Sequence, residues 1–390
     1  MNGDDNMVVK THRSGRFVEQ TEGYSTFFPN PLPPEPPIVF DEELLGVLSE
    51  ATITLGRLDG IAEILPNPDL FVMMYVKKEA VLSSQIEGTQ ASLMDVLEFE
   101  ARALDPEGSV DVSEVVNYVK AMSYGLKHIK ERNFSISLIR EMHRRLITDT
   151  RGSDREPGRL RTVQNWIGPP DAPITEATFI PPDPIEMMKA MKEFEGYLRT
   201  EDTISPLVRA GLIHAQFESI HPFLDGNGRI GRLLITLQLV RSGHLSRPLL
   251  YLSYYLKQNR AEYYDRLQAV RTQGAWEEWM QFFLEGVHQA SVDAIDTSRK
   301  IINLRADLVE TIADRFGNRS GAALGLLEEL FNKPYVTVNS IEQITGLSYP
   351  GANRLASRFE GLEILNEVTG QKRNRIFEFH TYLDILNEGS

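Results

Sequence analysis

The densest group of reactive side chains in the sequence lies between His221 and Arg232, in the stretch HPFLDGNGRIGRLL that runs on to Leu234. It sets one imidazole, one carboxylate, one carboxamide and two guanidinium groups around three glycines. An imidazole can take up a proton near neutral pH. The Asp225 carboxylate is a hard oxygen ligand of the kind that shares Mg²⁺ with the phosphates of a substrate. Gly226 and Gly228 permit positive φ angles and close backbone approach, so that N–H groups can converge on an anion. Arg229 and Arg232, three residues apart, can project from one face of a first helical turn and clamp phosphate oxygens. Base, metal ligand, anion nest and paired arginines are the parts that phosphoryl or nucleotidyl transfer to a hydroxyl requires.

The elements around this stretch decide what it is. Its glycines at 226, 228 and 231 satisfy G-x-G-x-x-G, a dinucleotide fingerprint when it follows a strand in a βαβ unit. Here Ser205-Pro206 reads as an N-cap followed by proline at the first helical position. Leu207, Ala210, Ile213 and Phe217 then recur at helical spacing, so a helix and not a strand leads into His221. Ile230, Leu233, Leu234 and Leu237 predict an amphipathic helix on the far side. The loop therefore feeds a helix N-terminus, whose unpaired N–H groups and dipole attract anions. Gly231, the third glycine of that spacing, reads as a close-packing point within the segment.

Elsewhere the pattern is mainly helical. Residues 27–38, with six prolines, predict an extended polyproline strap. Helical spacing follows in EELLGVLSEATITLGRLDGIAEIL and in LFVMMYVKKEAVLSSQIEG, which ends at Gly88 as a C′ residue. Further helices are expected at about 91–104, 112–131 and 135–148, and from 184 to about 300. Residues 151–184 interrupt them with the runs RTVQNWI and TFI between prolines and glycines, predicting a β-hairpin flap with a docking edge. From about 318, three helices and the runs ILNEV and RIFEF, joined by TGQKRN, predict a winged helix-turn-helix. The expected class is mainly α, a helical core with a flap and a C-terminal winged-helix domain. The expected division is 1–105, 106–300 and 301–390.

Composition bounds the function. A chain of 390 residues exceeds one ordinary core. A net charge of −14 argues against coating nucleic acid or an anionic membrane through bulk charge. The absence of cysteine excludes disulfides, thiolate zinc sites and cysteine nucleophiles. MNGDDNMVVK has no signal-peptide h-region, and LLITLQLV is too short to span a bilayer. The expectation is a soluble, cytoplasmic protein with no membrane partner.

His221 to Arg232 resembles the H-x-F-x-[DE]-G-N-G-R-x-x-R signature of the Fic family at every fixed position. The resemblance implies a protein adenylyltransferase that moves AMP from ATP to a Ser, Thr or Tyr hydroxyl of a protein, itself included, with Mg²⁺ present and pyrophosphate released. It implies His221 as general base, Asp225 as Mg²⁺ ligand, and Phe223 as the loop's core anchor. The segment Gly226, Asn227, Gly228, Arg229, Ile230, Gly231 and Arg232 would hold the phosphates. The flap, residues 159–181, would align the target by strand addition. Tyr263 and Tyr264 fall where family members contact base and sugar. Upstream, SSQIEG, Ser83 to Gly88, is similar to the family's inhibitory pattern [ST]-x-x-x-E-[GN]. That likeness implies that Glu87 pairs with Arg232 and blocks the γ-phosphate; in some members the same glutamate supports removal of AMP. A homodimer is a family-level expectation. Two alternatives stay open: a DNA-binding regulator that uses the domain as a nucleotide sensor, and an enzyme with another nucleotide donor. For DNA the basic edge would be Arg354, Arg358, Lys372, Arg373 and Arg375, although residues 319–390 hold seven Lys/Arg against nine Asp/Glu. A protein-binding or dimer-supporting role for this unit is the favoured reading.

Overall fold

In a computed structural model describing residues 8–64, 68–101, 110–129, 134–150, 154–169, 171–200, 203–317, 320–371 and 374–388, the chain begins with strands. β1 (Val8–His12), β2 (Gly15–Glu19) and β3 (Ser25–Pro29) form an antiparallel meander in that order. β3 takes over the first residues of the expected proline strap, and residues 30–40 form no regular element. Sequence reading missed this sheet because its strands are five residues long and β2 does not alternate cleanly between buried and exposed positions.

Helices then follow as the periodicity predicts: α1 (Glu42–Ile64), α2 (Pro68–Ile86), α3 (Leu93–Ala101), α4 (Val110–Ile129) and α5 (Ile136–Ile147). α2 stops in a Schellman motif. Thr89 N–H donates to Ser84 O at 3.2 Å, Gly88 N–H donates to Gln85 O at 3.1 Å, and Gly88 sits at φ 100°. This leaves Glu87 at the C-cap, on the last turn of the helix.

The flap differs from a regular hairpin. Its two arms meet in a single antiparallel bridge, Ile167 with Phe179, around a short 3₁₀ turn at Ile174–Glu176. Pro169, Pro173, Pro181 and Pro182 lack N–H donors, so a ladder cannot extend through them. The flap is anchored instead by Phe27 N–H of β3, which donates to Ile180 O at 3.0 Å.

α6 (Pro184–Arg199), capped by Asp183, leads to the central pair α7 (Pro206–Ile220) and α8 (Asn227–Arg241). Ser205 occupies the N-cap of α7, but its side chain makes no capping bond. Every residue of α7 from Leu207 to Ile220 is buried, and so is α8 from Arg229 to Val240. These helices are therefore enclosed on all sides rather than amphipathic. A one-faced apolar stripe understated this because Arg209, His214, Gln216, Glu218 and Arg232 are also interior.

α9 (Ser253–Gln258) and α10 (Arg260–Gln273) precede α11 (Trp276–Phe316), a helix of 41 residues that packs along α1. α11 passes straight through the expected boundary at 300. One apolar cluster continues from α2–α8 through Ile301, Ile312 and Phe316 into residues 320–388. There α12 (Ser320–Leu330), β4 (Tyr335–Thr337), α13 (Val338–Thr345), α14 (Tyr349–Gly361), β5 (Asn366–Glu367), β6 (Ile376–Glu378) and α15 (His380–Asn387) follow, with a sheet in the order β4-β6-β5. The strand β4 and the last helix were not foreseen. No helix among the described residues is long and apolar enough to cross a membrane.

Candidate active site

His221 ends α7 in the left-handed region, at φ 50° and ψ 60°. A side chain that is not glycine is held there only if its surroundings fix it. Arg161 does so from the flap. Its Nε donates to His221 O at 3.0 Å, its own N–H donates to Pro222 O at 3.0 Å, and Nη2 donates to Pro182 O. Arg161 was not singled out from the sequence, where an arginine in a polar run carries no distinguishing signal. Burial, with the Arg271 and Arg161 guanidinium groups beside it, pushes the His221 imidazole down to about 3. At neutral pH the ring is uncharged and able to accept a proton.

The loop after His221 is braced from inside. Phe223 is fully buried and stacks on His143, with ring centroids 3.7 Å apart and 4° between planes. Gly158 N–H donates to His143 Nδ1 at 2.8 Å, which leaves Nε2 to donate to Asp225 O at 2.9 Å. The Asn227 amide closes the loop, accepting from Phe223 N–H at 2.9 Å and donating to Phe223 O at 2.8 Å. Asn227 therefore braces the loop, with one N–H of its carboxamide left over from these two bonds. Asn227→Ala strands two buried backbone groups. It is expected to destabilise the fold by about 2–4 kcal/mol in denaturant unfolding.

Gly226, at φ 75°, sits at the N-cap of α8 and offers no side-chain cap, so the first N–H groups of the helix lack one. Gly228 lies inside the first turn and not, as expected, at a positive φ. Its role is steric: a methyl group there would come within 2.2 Å of Glu87 Oε1. The Glu87 carboxylate therefore rests against the start of α8. Arg232 Nη2 donates to it at 2.7 Å, while Arg232 also donates from Nε to Ser83 Oγ at 2.8 Å and from Nη2 to Ser83 O at 2.9 Å. Burial opposes the Glu87 charge, but Arg232, with Arg229 and Arg260, outweighs it and holds the carboxyl below the usual range. Arg229 is buried between acids, 3.6 Å from Asp225 Oδ1 and 3.9 Å from Glu114 Oε2. Arg232 Nη1 and Arg229 Nε are buried with no hydrogen-bond partner among the described residues.

Ile230 is a core residue, and the two adjacent tyrosines separate cleanly. Tyr263 is buried and its hydroxyl meets His214 Nε2 at 2.8 Å, so in this structure it packs in the core. Tyr264 is 41% exposed at the rim, below the Arg260 guanidinium. Asp225, with 42% of its side chain exposed, accepts from Gly226 N–H at 2.6 Å. No group of three or more His, Asp or Glu among the described residues is placed to hold a metal alone. A single half-open carboxylate beside an anion cradle fits Mg²⁺ that arrives with substrate phosphates rather than in a protein cage.

A neutral imidazole thus lies beside a cluster of buried arginines and an uncapped helix start on a buried helical hairpin. Residues 133–239 match the Fic/DOC family and residues 45–127 match the Fic/DOC family N-terminal region. Residues 133–239 thus form a Fic/DOC domain, preceded by that family's N-terminal region at residues 45–127. Protein adenylyltransferase fic-1 of Caenorhabditis elegans is 38% identical over 135 residues, 34% of this chain and 23% of that protein. Protein adenylyltransferase Fic of Culex quinquefasciatus is 33% identical over 190 residues, 47% of this chain and 34% of that protein. The chain thus spans only a quarter to a third of these relatives. A solved Fic family protein from Desulfovibrio desulfuricans G20 shares the fold, with a TM-score of 0.57 at 21% identity over 88% of this chain and 97% of its own.

Proposed function

We propose that the protein is an autoinhibited adenylyltransferase that moves AMP from ATP to a Ser, Thr or Tyr hydroxyl of a protein and releases pyrophosphate. The observation that carries this reading is the Glu87 carboxylate against Gly228 and Arg232. One of the chain's own anions already occupies the place where a phosphate would sit. The unspent N–H groups of Arg229 and Arg232 and the uncapped start of α8 supply donors for the rest of a triphosphate. His221 takes the hydroxyl proton, and Arg161 holds the loop that presents it. Mg²⁺ bound by Asp225 and phosphate oxygens would neutralise charge on the tail. Val163, Trp166 and Ile167 on the flap are 56%, 42% and 38% exposed, an apolar edge suited to a target backbone.

The DNA-binding alternative draws less support. Arg358 donates to Arg315 O at 2.8 Å and Arg375 donates to Asn353 Oδ1 at 2.8 Å, so two members of the expected basic edge serve packing. Lys372 and Arg373 lie outside the described residues, and Arg354 remains exposed. The helices of residues 320–388 and the sheet in the order β4-β6-β5 support the winged-helix reading of this unit.

The deciding experiment incubates wild type and Glu87→Gly with α-labelled and, separately, γ-labelled ATP. Label retained on protein from α alone is the expected result. Retention from γ alone would make it a kinase-like enzyme, and no retention from either would end the proposal. A panel of other nucleotides in the same assay tests the donor.

A further inference from the structure

Behind His221, one turn back on α7, lies Glu218, a buried acid that the reading above leaves unused. Its Oε2 is 3.8 Å from His221 Nδ1, close enough to pair with an imidazolium though too long for a hydrogen bond to the neutral ring, and the side chains are only 7% and 15% exposed. Neither His221 Nδ1 nor Glu218 Oε1 makes a hydrogen bond of good geometry among the described residues, and the Glu218 backbone also lies against the imidazole, where it favours the protonated ring. Two features keep the acid in place. Arg271 Nη2 donates to Glu218 O at 3.1 Å and fixes the backbone beneath the side chain. Gly231 makes the room: a methyl group there would lie 2.8 Å from Glu218 Oε1 and 3.0 Å from His214 Nδ1. The third glycine of the apparent dinucleotide fingerprint is thus what lets α8 close over this acid.

We propose that Glu218 is the positioning residue for His221, its carboxylate accepting Nδ1–H and so leaving the lone pair on Nε2 for the target hydroxyl. This rests on the adenylyl-transfer reading. In that reaction the hydroxyl proton passes to Nε2, the new O–P bond forms at the α-phosphorus, and the bond to pyrophosphate breaks. The imidazolium left behind sits near Arg161 and Arg271, both of which disfavour it. A carboxylate at Nδ1 is the counter-charge that makes the step feasible. The groups facing Glu218 are His214 and His221 from α7, Arg232 from α8, Arg271 and Tyr263 from α10, and Glu87 from the end of α2. Burial pushes its carboxyl up to about 7, against Arg232 and Arg271 and with Glu87. The group is therefore protonated below that value and becomes the useful carboxylate as pH rises through it.

The test measures kcat and KM for AMP transfer from pH 5.5 to 9 for wild type, Glu218→Gln and Glu218→Asp, each also in the Glu87→Gly background. Wild type is expected to gain rate as pH rises through about 7. Glu218→Gln should lose about 10- to 100-fold in kcat, the range for outer partners of functional histidines, with KM for ATP little changed and the pH limb gone. Glu218→Asp should restore a limb, which a purely structural role would not do. A Glu218→Gln enzyme with wild-type kcat and an intact limb overturns the inference while leaving adenylyl transfer standing. Absence of transfer in wild type and Glu87→Gly alike is the separate failure of the reading it rests on. The ¹⁵N resonances of His221 give a readout independent of turnover. Nδ1–H is expected as the main tautomer in wild type, and an unchanged tautomer in Glu218→Gln counts against the assignment.

Discussion

His221→Ala is expected to lower kcat for AMP transfer by about 10²- to 10⁴-fold, the usual worth of a positioned general base. KM for ATP should hold within about twofold, because the cradle is built from α8 and from groups that do not touch the imidazole. The fold should survive, since the bonds that fix this position run from Arg161 to backbone oxygens and not to the ring. Calorimetric ATP binding with no turnover is the outcome that separates a lost base from a lost site. The pH dependence adds a second check. A group depressed to about 3 is neutral, with its lone pair unprotonated, throughout the physiological range. No acid limb near 6.5 should therefore arise from His221 itself. A variant that still transfers AMP at a rate near wild type would remove His221 from the chemistry.

The order of polar groups from His221 to Arg232 was legible because a loop between two helices keeps its residues close together whatever surrounds it. The helices were legible for the same local reason, through apolar spacing. What could not be read was set by residues distant in sequence. Arg161, 60 residues before His221, holds the strained turn, and His143, 82 residues before Asp225, holds the loop carbonyl. Neither has a sequence signature, since a lone arginine or histidine is ambiguous until its neighbours are known. Asn227 carries a task that its place in the motif did not disclose, since its carboxamide closes the local turn on Phe223 N–H and Phe223 O. Tyr263 and Tyr264 had equal standing in the sequence, and only helix orientation decided that one is core and the other rim. The N-terminal meander was missed because its strands gain stability by docking on the flap and on α7, where Gln216 Nε2 donates to Asn30 O at 2.8 Å. Its own pattern does not disclose that contact.

Glu87→Gly is expected to raise the rate of AMP transfer by about 10- to 150-fold, while lowering the thermal stability of the ligand-free protein. The two signs have one cause. A hydrogen bond to a charged group contributes roughly 1.5–3 kcal/mol, and here it favours the form in which the protein's own carboxylate fills the cradle. Removing that carboxylate moves the population toward the form that admits the γ-phosphate, by the same free energy. Arg232 does not lose its aim, because Nε and Nη2 remain bonded to Ser83. It does lose its counter-charge while 1% exposed, which accounts for the lower stability. ATP should therefore raise Tm more in Glu87→Gly than in wild type, since the phosphates supply the missing anion. Acid should not mimic the substitution at ordinary pH. The Glu87 carboxyl is held below the usual range, so its stabilising contribution is present above the unfolded value and is lost only as pH falls through the lower, folded one. Gly228→Ala provides the contrast, because its methyl group displaces Glu87 Oε1 yet intrudes on the phosphate seat itself. Release of the glutamate without activation is expected there, read as weaker ATP binding in calorimetry. Equal rates for wild type and Glu87→Gly, or an ATP-induced Tm shift no larger in the variant, would mean that the Glu87–Arg232 pair is a structural contact and not a switch.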